Sequence, residues 1–417
     1  MHDTTQTKVI LNDWKSDHLF LLIGGNPLPN YVAAKLLLAE NGVLHLVHSP
    51  ETKTIADNIT GFFPKHLRHE VSDSASRAAI LSALTVEKIQ EALEKQGLPL
   101  CTAQEKIGLN YTGGTKTMSV HAYEAVMKQF PNAVCTYLDS RKMTLRRADK
   151  PTELFVQYAM EPQPNVLDFF KLHGIELLND KRTGNSHAMQ LPPIMPQLEL
   201  ALAQAHRTRH GQEAYAKWCG QHTKFGKNTT QRVSIPTDKL LIGVADEMRN
   251  AFDIVDNTFD PHEIIADEKM PFTQVRVLAR YLDGTWLEEY VGQAFIQNRE
   301  CCCIDNVAKS SDLAQSKMGT KFEIDVLAMQ GYQMYAASCT RSKDRKRTKH
   351  KLFEAYIRAA QLGGDEARVT VVCADEEPEE LEQEVNQSWR LEQGKVRVFG
   401  AKDLPDLANR FHSWMSV

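Results

Sequence analysis

The chain has 417 residues, more than one ordinary core holds, so two domains and a connecting segment are expected. Its composition is 42% hydrophobic and 24% charged, and no apolar run approaches the ~18 residues of a membrane helix, which excludes a membrane-spanning class. A net charge of −4 excludes a uniformly basic nucleic-acid coat while leaving room for a local basic patch, which stands at Arg341 to Lys351. The first residues include acidic side chains and no apolar run of a secretory signal, so a cytoplasmic location is expected. Of eight cysteines, Cys301, Cys302 and Cys303 adjoin and the rest are scattered without a C-x-x-C pair. That spacing argues against a zinc site and against a disulfide framework.

Residues 1–150 alternate strand-like and helix-like segments. Strands are expected at 19–25, 43–49, 66–72, 106–112 and 133–139, with helices at 30–40, 75–95 and 116–129 between them. Such alternation predicts an α/β fold with a mostly parallel sheet, closed by a hairpin strand at 142–149. Residues 151–270 read as a connector with helical insertions, including a helix and strand within 167–178. From 271 to 417 the order becomes a helix near 273–295, a strand pair at 321–329 and 333–339, the basic run as a mobile loop, a helix at 350–364 and a strand at 368–374. This is a second α/β unit, and the acidic run at 375–384 reads as a solvated face.

The stretch from Asn110 to Thr117, NYTGGTKT, superficially resembles a phosphate-binding loop. A Walker motif needs G-x-x-x-x-G-K-[ST], and here Thr115 separates Gly114 from Lys116. The placement still matters, because Gly113 and Gly114 end a strand while Thr115, Lys116 and Thr117 begin a helix. In an open parallel sheet, ligands bind where strand C-termini meet helix N-termini. A second loop, GGNPLPN at 24–30, has the same placement, and together the two would line one anion-friendly groove.

These loops resemble those of CRISPR-associated Rossmann-fold (CARF) sensor domains, in which a hydroxyl-rich, lysine-containing loop contacts a cyclic oligoadenylate. The resemblance implies that Asn110, Thr112, Gly113, Gly114, Thr115, Lys116 and Thr117 surround the ribose and phosphates, with Gly25 and Asn26 at the rim. It also implies a homodimer in which two such loops face each other across a two-fold axis.

Metal-dependent phosphodiester cleavage needs oxygen ligands for Mg2+ or Mn2+ and a cation to steady the transition state. The C-terminal half offers Glu288 and Glu289 on a helix, Asp325 in an apolar strand, and Glu354 on a later helix. An ionised Asp325 in such a strand is costly unless paired or bound to metal. The order G-x-W-L-E, then E-I-D-V, then a second strand resembles the PD-(D/E)xK restriction-endonuclease-like core. The whole chain resembles CARF-nuclease effectors activated by cyclic tetra-adenylate, which implies a Rossmann-like CARF domain followed by a restriction-endonuclease-like α/β domain. The pattern departs where (D/E)-x-K is due, since Ser338, Cys339 and Thr340 stand there. Either the site is degenerate or its parts have moved, with Glu354 replacing the carboxylate and Lys343 or Lys351 the lysine. Lys351 and Glu354 are three apart and share a helix face. The expected metal ligands are therefore Glu288, Asp325 and Glu354.

The run Arg345 to His350 also fits the R-x-x-x-x-H pattern of metal-independent ribonucleases, whose all-helical fold conflicts with the flanking strands. The function expected is a cyclic tetra-adenylate-activated, metal-dependent nuclease acting on DNA, RNA or both. The alternative is a ligand-sensing regulator that binds nucleic acid without cutting it.

Overall fold

The computed structural model describes residues 11–102, 104–139, 143–155, 166–177, 195–223, 232–272, 274–309, 313–315, 321–322, 324–391 and 394–416. The first unit runs β1 (Ser16–Leu22), α1 (Leu28–Leu37), β2 (Leu38–His48), α2 (Lys53–Thr60), β3 (His66–Glu70), α3 (Arg77–Ala83), α4 (Val86–Lys95), β4 (Ile107–Asn110), α5 (Lys116–Gln129), β5 (Val134–Asp139), β6 (Thr144–Arg147) and β7 (Glu153–Phe155). Its sheet has the order β3-β2-β1-β4-β5-β6-β7. The pairs among β1 to β5 are parallel, and β6 and β7 add an antiparallel edge. β1 shows why its sequence is a continuous apolar run: Leu19 and Leu21 pack on the face holding α1 and α2, while Phe20 and Leu22 pack on the face holding α3 and α5. The single helix expected at 75–95 is two, because Ser76 caps α3 and Thr85 caps α4 through side-chain oxygens, and a hydroxyl cap starts a new helix.

Parts of the expected connector, 156–165, 178–194 and 224–231, lie outside the described residues. The rest comprises α6 (Val166–Leu172), β8 (Ile175–Leu177), α7 (Pro196–Ala205), α8 (Arg209–His222), β9 (Val233–Ser234), α9 (Ile242–Phe252), β10 (Thr258–Phe259) and α10 (Pro261–Ala266). These helices do more than connect. Leu198, Tyr215, Met248 and Phe272 share one buried cluster with Trp286, Tyr335 and Phe411, so packing joins 195–272 to the C-terminal unit.

That unit continues with α11 (Val275–Arg280), a π turn at Tyr281–Thr285, α12 (Trp286–Gln297), α13 (Arg299–Cys302), β11 (Ile304–Lys309), β12 (Leu313–Gln315), β13 (Lys321–Phe322), β14 (Val326–Gln330), β15 (Gln333–Cys339), α14 (Arg345–Gly363), β16 (Arg368–Val372), α15 (Pro378–Trp389), β17 (Val396–Phe399) and α16 (Leu407–Met415). Its sheet has the order β11-β14-β15-β16-β17, antiparallel as far as β15 and parallel beyond it. The other face of this sheet, through Leu327, Met334 and Val369, shares a cluster with Leu21, Tyr31 and Leu145 of the first unit.

The basic run is not a mobile loop. Asp344 accepts from the Lys346 amide at 2.9 Å and starts α14 five residues before the expected helix. Arg345 pairs with Asp375, Glu377 and Glu380 at 3.1–3.2 Å, and Lys349 pairs with Glu384. The acidic run expected to face solvent is thus the partner of the basic one. The R-x-x-x-x-H residues lie on a helix covering a mixed sheet, which removes the all-helical ribonuclease reading.

On the α3–α5 face of the first sheet, three buried histidines form a chain. His18 Nδ1 lies 3.0 Å from His45 Nε2, and His45 Nδ1 lies 3.0 Å from His69 Nε2. Burial lowers the pKa of all three: His69 falls to about 4, and His45 is pushed further by its two neighbours, whereas Glu105 partly offsets the effect at His18. Below the unfolded value near 6.5 the unfolded chain takes up protons that the folded chain refuses, so stability is lost as pH falls. The free energy of unfolding should therefore drop between pH 6.5 and about 4, by on the order of a few kcal/mol and visible as a falling melting temperature, and a His45→Phe variant should show a flatter profile. An unchanged slope in that variant would contradict the buried neutral chain.

Candidate functional site

Because β1 and β4 are neighbours, with Leu21 opposite Asn110, their C-terminal loops lie side by side where the strand order reverses. The contact is backbone to backbone. A Cβ on Gly113 would stand 2.2 Å from the Leu22 carbonyl oxygen and 3.0 Å from the Gly24 amide nitrogen, and one on Gly24 would stand 3.0 Å from the Gly114 nitrogen. Gly114 has φ of +75°, a left-handed value that glycine adopts without strain. Asn30, fully buried on α1, donates to the Leu22 carbonyl at 2.8 Å and holds the end of β1 in place.

Two of the expected ligand residues turn inward. Asn110 is fully buried, donating to Thr136 Oγ1 at 3.1 Å and accepting from the Thr112 amide at 3.3 Å. Thr112 Oγ1 accepts from the Leu138 amide at 2.7 Å. These residues brace the loop against β5. Thr115 caps α5 by accepting from Met118 at 3.2 Å, and Lys116 is exposed at the helix start. The amides of Lys116 and Thr117 belong to the first turn of α5, where helix amides have no intrahelical acceptor and the dipole is positive. Gly25 is exposed, while Asn26 accepts from Leu28 at 3.0 Å and packs on Gly364, just beyond α14.

In the second unit, Asp325 is 8% exposed and well supplied with donors. Its Oδ2 accepts from the Cys339 amide at 2.6 Å and the Ser338 hydroxyl at 3.0 Å, and lies 3.5 Å from Lys351 Nζ. Lys351 also donates to the Cys339 carbonyl at 3.0 Å. Ser338, 13 residues beyond Asp325 where a carboxylate is expected, donates to that aspartate. Burial raises the Cys339 thiol well above its ordinary range, the charges of Asp325 and Glu288 add to the rise, and Lys351 opposes it.

Other expected residues lie elsewhere. Lys343 bonds Glu213 at 2.9 Å, whose carboxyl is held down at about 2 by Lys343 and Arg209. Glu289 is buried and bears on Tyr281, beside Glu199. Glu354 is exposed on α14. Glu288, Asp325 and Glu354 do not bring three ligand atoms within 4.8 Å; among the described residues that spacing occurs at Cys301, Cys302 and His412. One residue that sequence reasoning missed is Arg341, which bonds Asp283 at 3.2 Å and stacks over Tyr215 just after β15. Its partners are 58 and 126 residues away in the chain, so no local pattern marks it.

No protein-family model matches the sequence, and no curated protein matches it. Among solved structures, Can2 from Sulfobacillus thermosulfidooxidans in complex with cyclic tetra-adenylate is similar with a TM-score of 0.65, 15% identity and 100% of both chains covered. The chain has the fold of Can2. Protein VC1899 from Vibrio cholerae is similar at a TM-score of 0.68 and 14% identity, over 96% of this chain and 98% of that one. The likeness extends end to end and bears out the expected α/β fold. No helix among the described residues is long and apolar enough to cross a membrane.

Gly113→Ala should lower stability by about 1–3 kcal/mol, because the new methyl group meets backbone that cannot yield. Gly25→Ala, whose Cβ meets nothing within 4 Å, should change it by less than about 0.5 kcal/mol. Thermal melting of the two variants side by side checks the loop contact; equal melting temperatures would contradict it.

Proposed function

We propose that the chain is a cytoplasmic nuclease of CRISPR-associated antiviral defence, activated by cyclic tetra-adenylate and dependent on Mg2+ or Mn2+. The observation that carries this reading is the pair of glycine loops joined at the switch point of a fold shared end to end with Can2, a protein solved with cyclic tetra-adenylate. The first amides of α5, the Lys116 ammonium and the Thr117 hydroxyl give an anion several donors, whereas Asn110 and Thr112 act as braces. The proposal includes a homodimer, since a ring of repeated phosphates is matched by two copies of Lys116. Val120 and Tyr123 on α5, together with Tyr137, are 62%, 37% and 40% exposed and supply an apolar surface for that contact.

In this reading a hard divalent cation would be held by the carboxylates of Asp325 and Glu288, oxygen donors of the kind such an ion prefers, with substrate phosphate and water completing its shell. Such an ion would polarise the phosphate and activate water. Lys351, already held by Asp325 and the Cys339 carbonyl, would place a positive charge where the phosphorane gains negative charge. Ser338 and the Cys339 amide keep the Asp325 carboxylate oriented. The substrate is DNA, RNA or both. α14 spans the two sites, with Lys351 in its second turn and Gly364 against Asn26 past its end. A ligand that prefers one arrangement of the Asn26 loop would thereby bias the position of Lys351, by no more than its difference in affinity for the two arrangements.

The test is strand cleavage of plasmid, single-stranded DNA and RNA with cyclic tetra-adenylate and Mn2+ added together or singly. Cleavage is expected only with both. Asp325→Asn should abolish it while leaving ligand binding intact, and Lys351→Met should lower the rate roughly 100- to 1000-fold. Lys116→Ala should weaken ligand binding roughly 10- to 100-fold. Retarded mobility without scission would favour a non-cleaving regulator, the reading to which Ser338 in place of a carboxylate lends support.

A further inference from the structure

The run of cysteines acquires a partner that its sequence spacing does not show. α13 ends at Cys302, and α16 brings His412 over it: Cys302 Sγ lies 3.3 Å from His412 Nδ1, and Cys301 Sγ lies 3.8 Å from Cys302 Sγ. All three donor atoms fall within 4.8 Å of one another. A tetrahedral zinc with Zn–S near 2.3 Å and Zn–N near 2.0 Å has edges of about 3.8 Å between sulfurs and about 3.5 Å between sulfur and nitrogen. Two of the three edges of such a face are therefore already set. We propose that Cys301, Cys302 and His412 bind a zinc-class divalent cation as two thiolates and one imidazole, with water as the fourth ligand.

The surroundings suit such a site. Cys301 and His412 are exposed, which gives the ion a path in and leaves one face open to water, whereas Cys302 is buried and fixes the site from below. The supporting groups are anchored. Asn298 donates to the Ala294 and Ala408 carbonyls at 2.8 Å each, and its Oδ1 accepts from the Cys301 thiol at 3.3 Å. Gln330 donates to the Cys302 carbonyl at 2.7 Å. These contacts hold the ligands in the metal-free, protonated protein; on binding, the Cys301 thiol gives up its proton and with it the bond to Asn298 Oδ1, while the Gln330 contact to the Cys302 backbone remains. Two sulfurs and one nitrogen select a zinc-class ion over Mg2+ or Mn2+, which prefer oxygen. On binding, the two thiol protons leave to solvent and the sulfurs bond the metal, with no change of oxidation state. The site would staple α16 to α13, the short helix that follows α12, whose first turn carries Glu288. It concerns the architecture of the C-terminal unit and stands whatever that unit cuts.

The full-length protein, reduced and stripped with a chelator, is titrated with Co2+ and then Zn2+. Expected is one Co2+ per chain with the intense red-region bands of tetrahedral coordination and a near-ultraviolet thiolate-to-cobalt band, both lost when Zn2+ displaces it. Cys301→Ser, at an exposed position, should reduce the thiolate band and weaken zinc about tenfold or more, as should His412→Gln. Cys303→Ser, whose sulfur lies outside the cluster, should leave both unchanged. Absence of the tetrahedral bands would overturn the proposal. So would bands and zinc affinity undiminished in both Cys301→Ser and His412→Gln, or a disulfide joining Cys301 to Cys302 in protein purified without reductant.

Discussion

There is no room for a methyl group between the end of β1 and the loop after β4. That closeness follows from the parallel pairing of β1 with β4, and it forces glycine at 24 and 113. The groove between the loops is thus made mostly of backbone and of the start of α5. A backbone surface at a helix N-terminus suits an anionic ligand, because its donors need no ordering when the ligand arrives. Everything proposed for the first unit depends on this contact, and Asn30, Asn110 and Thr112 are spent on maintaining it.

The second unit is organised around a different constraint, a carboxylate in an apolar strand. Asp325 takes an amide, a hydroxyl and an ammonium, and the ammonium comes from α14 instead of the neighbouring strand. Drawing this ammonium from a helix has a structural consequence. A 19-residue α14, roughly 28 Å long, joins this aspartate to the Asn26 loop, so the two sites are linked by one stiff element. The acidic run from Asp375 to Glu384 fixes the start of that helix through Arg345 and Lys349. These pairs are partly exposed and individually weak; Asp375, nearly buried, is the one that anchors Arg345.

Much of this is legible in the sequence where the signal is local. The helix from Lys116 to Gln129 is bounded by its Thr115 cap, and the strands of the first sheet are apolar because both faces are covered. Asp325 stands out because a charge in such a strand demands a partner. The readings that failed concern partners distant in the chain. The basic run looks like a loop until the acidic residues 30 to 35 positions later are placed beside it, although Asp344 already offers a helix cap. Lys343 and Lys351 are equivalent in the sequence, and only the geometry sends one to Glu213 and the other to Asp325. His412 is 110 residues from Cys302, so the triple cysteine reads as a spacing unsuited to metal until α16 is folded back over it. The helix at 378–389 was hidden by its charge, yet Pro378 at its first turn and the glutamates after it are ordinary start signals.

The central claim is that two copies of the β1–β4 groove share one symmetric ring. Isothermal titration of the full-length protein with cyclic tetra-adenylate, alongside its mass in solution, tests it most directly. One ring per two chains and a dimeric mass are expected. One ring per chain on a monomer, or no heat at all, would contradict it.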